Sequence, residues 1–141
     1  MLYHGVDLVE IARVRRAVER WGEHFLRRIF TPGELIACGW GAGATPRYES
    51  LAARWAAKEA AAKALGCGLS GLAAGPGTHV ACHDLEVTAG PSGRPELRLH
   101  GEAALVAAAL GLTHLALSLS HTQAHAIASV VGLAKGLDFG F

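Results

Sequence analysis

The residues best placed to do chemistry lie in one smooth stretch. Residues 54–66 read RWAAKEAAAKALG, nearly an alanine rod, into which are set one acid, Glu59, three bases, Arg54, Lys58 and Lys63, and Trp55. On a helix, positions four apart share a face, so Trp55, Glu59 and Lys63 form a row. Taken alone, Glu59 and Lys63 read as an exposed pair worth about 0.2–0.5 kcal/mol. The alanines change that balance, because they let other elements approach the helix backbone. An acid on a packed helix then needs a base, a hydrogen-bond donor or a metal. Asp7, in GVDLVEI, raises the same problem at an apolar strand end. There a carboxylate is costly unless a positive group meets it, or unless it caps the helix that follows. Two carboxylates together make half of a magnesium site, with phosphates and water completing the shell.

Arg54, Lys58, Lys63 and the Gly66/Gly68 loop are candidate phosphate partners. The negative end of the helix near Gly66 repels phosphate, so Lys63 and a donor from elsewhere must offset it. LSLSHT, residues 117–122, offers such donors in His121 and Thr122 at a turn, although a turn histidine is also commonly satisfied by backbone. Ser118 or Ser120 with His121 and Asp7 would make a formal triad, but no G-x-S-x-G elbow accompanies them. Residues 13–28 hold six arginines against Glu19 and Glu23, and Arg13, Arg16 and Arg20 line the side opposite the apolar residues. That is either a solvated face or a docking surface for an acidic partner. HVACH gathers His79, Cys82 and His83, but no second pair at zinc-ligand spacing exists.

These residues need elements to hold them. Leu2–Val9 reads as a first strand. Ile11, Val14, Val18, Trp21 and Phe25 recur at helical spacing, with a break expected near Gly22. TPGEL is a capping box, with Thr31 as N-cap, Pro32 next and Glu34 three residues after the cap. After the Gly39–Thr45 loop, Thr45-Pro46 can open the alanine helix and Gly66 can close it in a left-handed cap. GCGLSGLAAGPG is a long loop with room for one helical turn. His79–Ala89 and Pro95–His100 flank the turn GPSG and predict a hairpin. A short helix over Gly101–Leu110, an alternating strand over Thr113–Ser120 and a last strand over Ala124–Gly132 follow. Helices early and antiparallel strands late make an α+β chain, read as an antiparallel sheet against a long alanine-rich helix in one domain over residues 1–141.

The totals bound the function. Half the residues are hydrophobic (51%) and 18% are charged, which excludes a disordered chain. A net charge of +1 argues against a general polyanion binder, so no nucleic-acid partner is expected. Cys38, Cys67 and Cys82 have no disulfide pattern and suit a reducing cytoplasm. No signal peptide and no stretch long enough for a bilayer is visible, so no membrane partner is expected either.

Three segments together resemble the 4′-phosphopantetheinyl transferases of the holo-acyl-carrier-protein synthase type. They are GVDLVEIARV (5–14) leading to RRIFTPGEL (27–35), LAARWAAKEAAAKALGCG (51–68), and LSLSHTQAHAIASVV (117–131). The middle one resembles the motif W/F-A-A-K-E-A-x-x-K-A-x-G. The resemblance implies transfer of phosphopantetheine from coenzyme A to a serine of an apo acyl-carrier protein. It implies that Asp7 and Glu59 hold Mg²⁺ and that Lys63 neutralises the pyrophosphate. It further implies that Arg54, His121 and Thr122 face the nucleotide's phosphates, and that Gly66 and Gly68 admit the coenzyme A backbone contacts. Arg13, Arg20 and Arg28 would meet the acidic carrier, and three copies would share active sites. The sequence departs from the family at the Gly39–Thr45 and Leu69–Thr78 segments, at His24, where a stronger base is expected, and at His125, where an aromatic residue is common. Two rival readings are a nucleic-acid-binding module built on the arginine-rich helix and a magnesium-dependent nucleotide hydrolase.

Overall fold

A computed structural model describes residues 1–41, 43, 45–70 and 77–136. Residues 71–76, half of the GCGLSGLAAGPG loop in which a helical turn is expected, and the Phe139–Phe141 tail fall outside the described residues.

The chain opens with strand β1, Leu2–Glu10, one residue longer than the sequence predicts. Its period of two turns Tyr3, Gly5, Asp7 and Val9 inward, and Leu2, His4, Val6 and Leu8 outward. Helix α1, Ile11–Ile29, buries Ile11, Val14, Val18, Leu26 and Ile29. It is broken where expected: Gly22 takes φ 56 and ψ −137, which no side chain tolerates easily. Helix α2, Pro32–Ala37, carries the full capping box, with both the Thr31 and Glu34 bonds present.

Helix α3, Tyr48–Leu65, starts two residues after Pro46 rather than at it. Arg47 is its N-cap and gives no side-chain capping bond, while the Arg47 backbone N–H is held by the Cys38 carbonyl at 2.9 Å. Gly66 ends the helix in the left-handed conformation, φ 71 and ψ 27. Twelve of the helix's residues are buried, distributed all round it, so α3 is a central helix without a single apolar stripe.

Beyond α3, β2 (Gly68–Leu69) pairs in parallel with β3 (His79–Val80). The stretch expected as one strand from His79 is split by a 3-10 turn at Cys82–Asp84, and only Leu85–Ala89 (β4) continues it. β4 pairs antiparallel with β5, Pro95–Leu99, across the GPSG turn. Helix α4, Gly101–Ala109, leads to β6, Leu112–His121, and β7, His125–Ala134. β7 lies between β1 and β6 in an antiparallel sheet of order β1-β7-β6. The fold is α+β, with α3 packed across β1 and β7.

Small residues set how close that packing is. β7 presents Ala126, Ala128, Val130 and Gly132 inward. A Cβ built on Gly5 would lie 1.9 Å from the Ala60 carbonyl oxygen and 2.8 Å from the Ala64 nitrogen. The strand and the helix backbone are therefore in direct contact at Gly5, two residues from Asp7 and one from Glu59 along their chains.

Candidate active site

That contact brings the two sequence-singled acids together. Asp7 sits inside β1, paired with Ala128, not at the strand's end as the pattern predicts. Its side chain is nine-tenths buried on the α3 side, and its Oδ1 accepts from Lys63 Nζ at 2.9 Å. Lys63 also donates to the Val6 carbonyl at 3.1 Å, and its exposed side chain reaches back over the strand. The Glu59 carboxyl lies against that of Asp7. Burial, together with the hydrogen bond and charge of Asp7, pushes the Glu59 carboxyl up from its ordinary 4.5 to about 7. Arg13 and Lys63 pull the other way but do not win.

The Asp7 Oδ2 atom is buried and has no hydrogen-bond partner among the described residues. Two carboxylates facing one another, one with an orphaned oxygen, call for a proton or a cation between them. The donor set is oxygen only, which suits a magnesium ion. Among the described residues no cluster of three or more His, Cys, Asp or Glu could hold a metal. Remaining ligands to such an ion would therefore come from substrate or water.

Beside the acids is a cleft of about 240 Å³ lined by Arg13, Trp55, Glu59, Ala62, Lys63, Cys67 and Leu69. The predicted row of Trp55, Glu59 and Lys63 thus forms one wall of it. The Arg13 guanidinium lies 5.1 Å over the Trp55 ring, and Phe25 meets that ring edge-on at 5.4 Å. A larger groove, about 840 Å³ between β5 and β6, contains none of these residues. Burial pushes the thiols of Cys38, Cys67 and Cys82 up, which argues against a cysteine nucleophile.

Other sequence candidates lie elsewhere in the chain. Arg54 is turned away from Glu59, with its guanidinium beside Cys38 and Nη1 3.5 Å from the Ser50 carbonyl. Arg47 reaches the same region and donates to the Ala37 carbonyl. His121 and Thr122 occupy the β6–β7 turn. There Thr122 Oγ1 accepts from the Ala124 and His125 backbone N–H groups at 3.2 and 3.1 Å, and His121 Nδ1 lies 3.2 Å from the Thr122 carbonyl. Within one chain these groups do not join the Asp7–Glu59–Lys63 cluster. Gly66 serves the helix end, and Gly68 makes room for the His79 ring, 2.7 Å from where a Cβ would stand. On α1, Arg20 stacks 4.8 Å over the exposed Trp21, and Arg28 is exposed in the last turn.

Lys58 corrects the sequence reading. It is fully buried and cannot meet a phosphate. Its Nζ donates to Glu34 Oε1 at 2.8 Å and to the carbonyls of Cys82 and Leu85 at 2.8 and 2.9 Å. Glu34 in turn accepts from Thr31 and Val87 backbone N–H groups at 2.9 and 3.0 Å. All three Lys58 donors are spent on structure: the unexpected 3-10 turn supplies one acceptor, Cys82, and the start of β4 another, Leu85.

A chain with this fold and acid pair belongs to the 4′-phosphopantetheinyl transferase superfamily, whose profile it matches over residues 4–130. It is 56% identical over 137 residues to the holo-[acyl-carrier-protein] synthase of Chloroflexus aurantiacus, covering 95% of this chain and 99% of that one. The corresponding synthase of Herpetosiphon aurantiacus is 51% identical over 133 residues, covering 94% and 99%. Among solved structures, the Chronobacterium ammoniagenes ACPS–CoA complex matches with a TM-score of 0.76 at 32% identity, covering 96% of this chain and 99% of that one. The Helicobacter pylori holo-[acyl-carrier-protein] synthase in complex with coenzyme A matches at 0.72 and 30%, covering 92% and 99%.

Proposed function

We infer that the protein is a holo-[acyl-carrier-protein] synthase. It moves the 4′-phosphopantetheine group of coenzyme A onto a serine hydroxyl of an apo acyl-carrier protein and releases adenosine 3′,5′-bisphosphate. The observation that carries this reading is the convergence of Asp7, Glu59 and Lys63 beside a cleft, in a chain of this family. We read residues 1–141 as a single domain and place its chemistry in the cytoplasm. No helix among the described residues is long and apolar enough to cross a membrane.

Asp7 and Glu59 would hold Mg²⁺, which when bound draws charge off the diphosphate and its leaving group. Lys63, already across from Asp7, lends its exposed ammonium to the same diphosphate. The serine Oγ attacks the phosphorus that bears the pantetheine arm, and the bond to the adenosine-side phosphate breaks. The serine proton must leave as its oxygen attacks, and the Glu59 carboxylate is the residue that would accept it. Gly66 and Gly68 flank the cleft residue Cys67; a Cβ on Gly66 would meet nothing within 4 Å, which leaves the backbone open to coenzyme A there, while the His79 ring fills the space beside Gly68. Arg13, Arg20 and Arg28 would pair with carboxylates of the carrier, with the exposed Trp21 ring adding apolar contact beside Arg20.

Arg54, His121 and Thr122 enter this scheme through a neighbouring copy. The outer face of the sheet favours such an assembly, since Leu2, Val6, Leu8, Ile127 and Val131 are all exposed on it. We take the assembly to be a trimer in which each site draws its acids from one copy and its nucleotide contacts from the next.

The test is one reaction: protein, coenzyme A, Mg²⁺ and an apo carrier, read by the intact mass of the carrier. A gain of one phosphopantetheine is expected. An unmodified carrier with the nucleotide hydrolysed, or with nucleic acid bound in place of coenzyme A, would overturn the assignment.

A further inference from the structure

One buried donor in the cleft is left over by the scheme above. Trp55 is 4% exposed, and its Nε1 has neither solvent nor an acceptor among the described residues. A buried indole N–H usually finds a partner, and leaving one unpaired costs about 1–3 kcal/mol. Such an exception calls for an explanation. The ring is held firmly: α3 carries it, Phe25 braces its edge and Arg13 covers its face. It lines the same cleft as Glu59, one helical turn away from it.

The cleft's size and lining say what kind of acceptor arrives. At about 240 Å³ it falls below the roughly 300–1,000 Å³ that encloses a drug-sized ligand, so it takes one limb of a larger molecule. Trp55, Ala62, Cys67 and Leu69 give it apolar walls, while Glu59 and Lys63 mark the end where a diphosphate sits. A slender, mostly apolar chain carrying a few amide carbonyls fits these walls and leaves the diphosphate at the charged end. Access to the indole runs past Arg13, an exposed side chain that can change rotamer.

We propose that Trp55 donates its indole N–H to an amide carbonyl of the pantetheine arm, fixing the arm along the cleft while the diphosphate lies at Asp7, Glu59 and Lys63. This deepens the reading of the chain as a coenzyme A-dependent transferase and rests on it. Trp55 is a binding residue for the arm, separate from the groups that hold the phosphates. It makes the site sensitive to the arm's length and to the position of its carbonyls.

The experiment compares the whole protein with Trp55→Phe, which keeps an aromatic ring at the site and removes the donor. Binding of two ligands is measured, coenzyme A and adenosine 3′,5′-bisphosphate, which has no arm. The variant is expected to bind coenzyme A about five- to tenfold more weakly, the loss of one hydrogen bond, and to bind the bisphosphate unchanged. In the ¹⁵N-labelled wild type the Trp55 indole signal is expected to move with coenzyme A and not with the bisphosphate. Trp55→Tyr is the second variant if phenylalanine unfolds the chain, with the same two ligands. Equal loss for both ligands, no loss for either, or an indole signal that moves only when the carrier is added would overturn the proposal. Because wild-type transfer is recorded first, a carrier left unmodified counts against the enzyme assignment itself, whereas normal transfer with an unmoved indole counts against Trp55 alone.

Discussion

Glu59 carries the sharpest expectation at the residue scale. Its ionised form is disfavoured in the folded chain, because burial and Asp7 raise its pKa to about 7. Between 4.5 and 7 the folded state holds a proton that the unfolded state has lost, so stability falls as pH rises through that window and levels off above it. Urea midpoints of the metal-free protein should therefore drop from pH 5 to pH 8. Glu59→Gln should remove that drop while abolishing transfer. A variant that transfers at near wild-type rate would take Glu59 out of the mechanism. The second expectation concerns Glu34 and Lys58, both fully buried and bonded to each other at 2.8 Å. Removing either alone strands the other charge in the core and should cost about 3–5 kcal/mol in urea melts. Replacing both, as Glu34→Leu with Lys58→Met, should cost less than the two single changes summed.

At the scale of elements, the approach of β1 to α3 depends on Gly5. Gly5→Ala must push strand and helix apart, since its Cβ would sit within 1.9 Å of the Ala60 oxygen. We expect a destabilisation of about 1–3 kcal/mol or more by thermal melting, and loss of transfer out of proportion to it, as Asp7 and Glu59 separate. Much of this arrangement could be read ahead of the structure. The capping box at Thr31, the break at Gly22 and the left-handed end at Gly66 each follow from local backbone chemistry, which a sequence displays directly. That Asp7 and Glu59 each need a partner was legible from an acid set among apolar residues, while their meeting was implied by the family resemblance. What stayed hidden was long-range. Glu34 looked like a cap and is also the partner of Lys58, 24 residues on. Lys58 looked like a phosphate ligand because nothing local says that it points inward. The 3-10 turn at Cys82–Asp84 exists among contacts to Lys58, so no short pattern announces it. The unpartnered Trp55 N–H could be noticed only once the packing around it was known.

For the whole molecule, the separation of Asp7 from His121 yields a test of shared sites. Asp7→Ala and His121→Ala should each be inactive alone. Mixed in equal amounts and allowed to exchange subunits, they should recover about a quarter of wild-type transfer, the fraction of interfaces that pair an intact acid side with an intact turn in a closed ring. Mixed assemblies without recovery would show that the sites are not shared. The exposed sheet face bearing Leu2, Leu8 and Ile127 makes the companion expectation that dilution to monomers lowers activity. The break at Gly22 bears on how the arginines of α1 are presented. The two stretches of α1 on either side of it do not propagate helix into each other. Both stretches are anchored separately, residues 11–21 by Ile11, Val14 and Val18, and residues 23–29 by Leu26 and Ile29. In deuterated solvent the amides beside Gly22 should exchange ahead of those around Val14 and Leu26. A rod snapped at its middle thus sets Arg13 and Arg20 on one piece and Arg28 on the other, so the angle at Gly22 rather than the winding of either piece would fix their spacing.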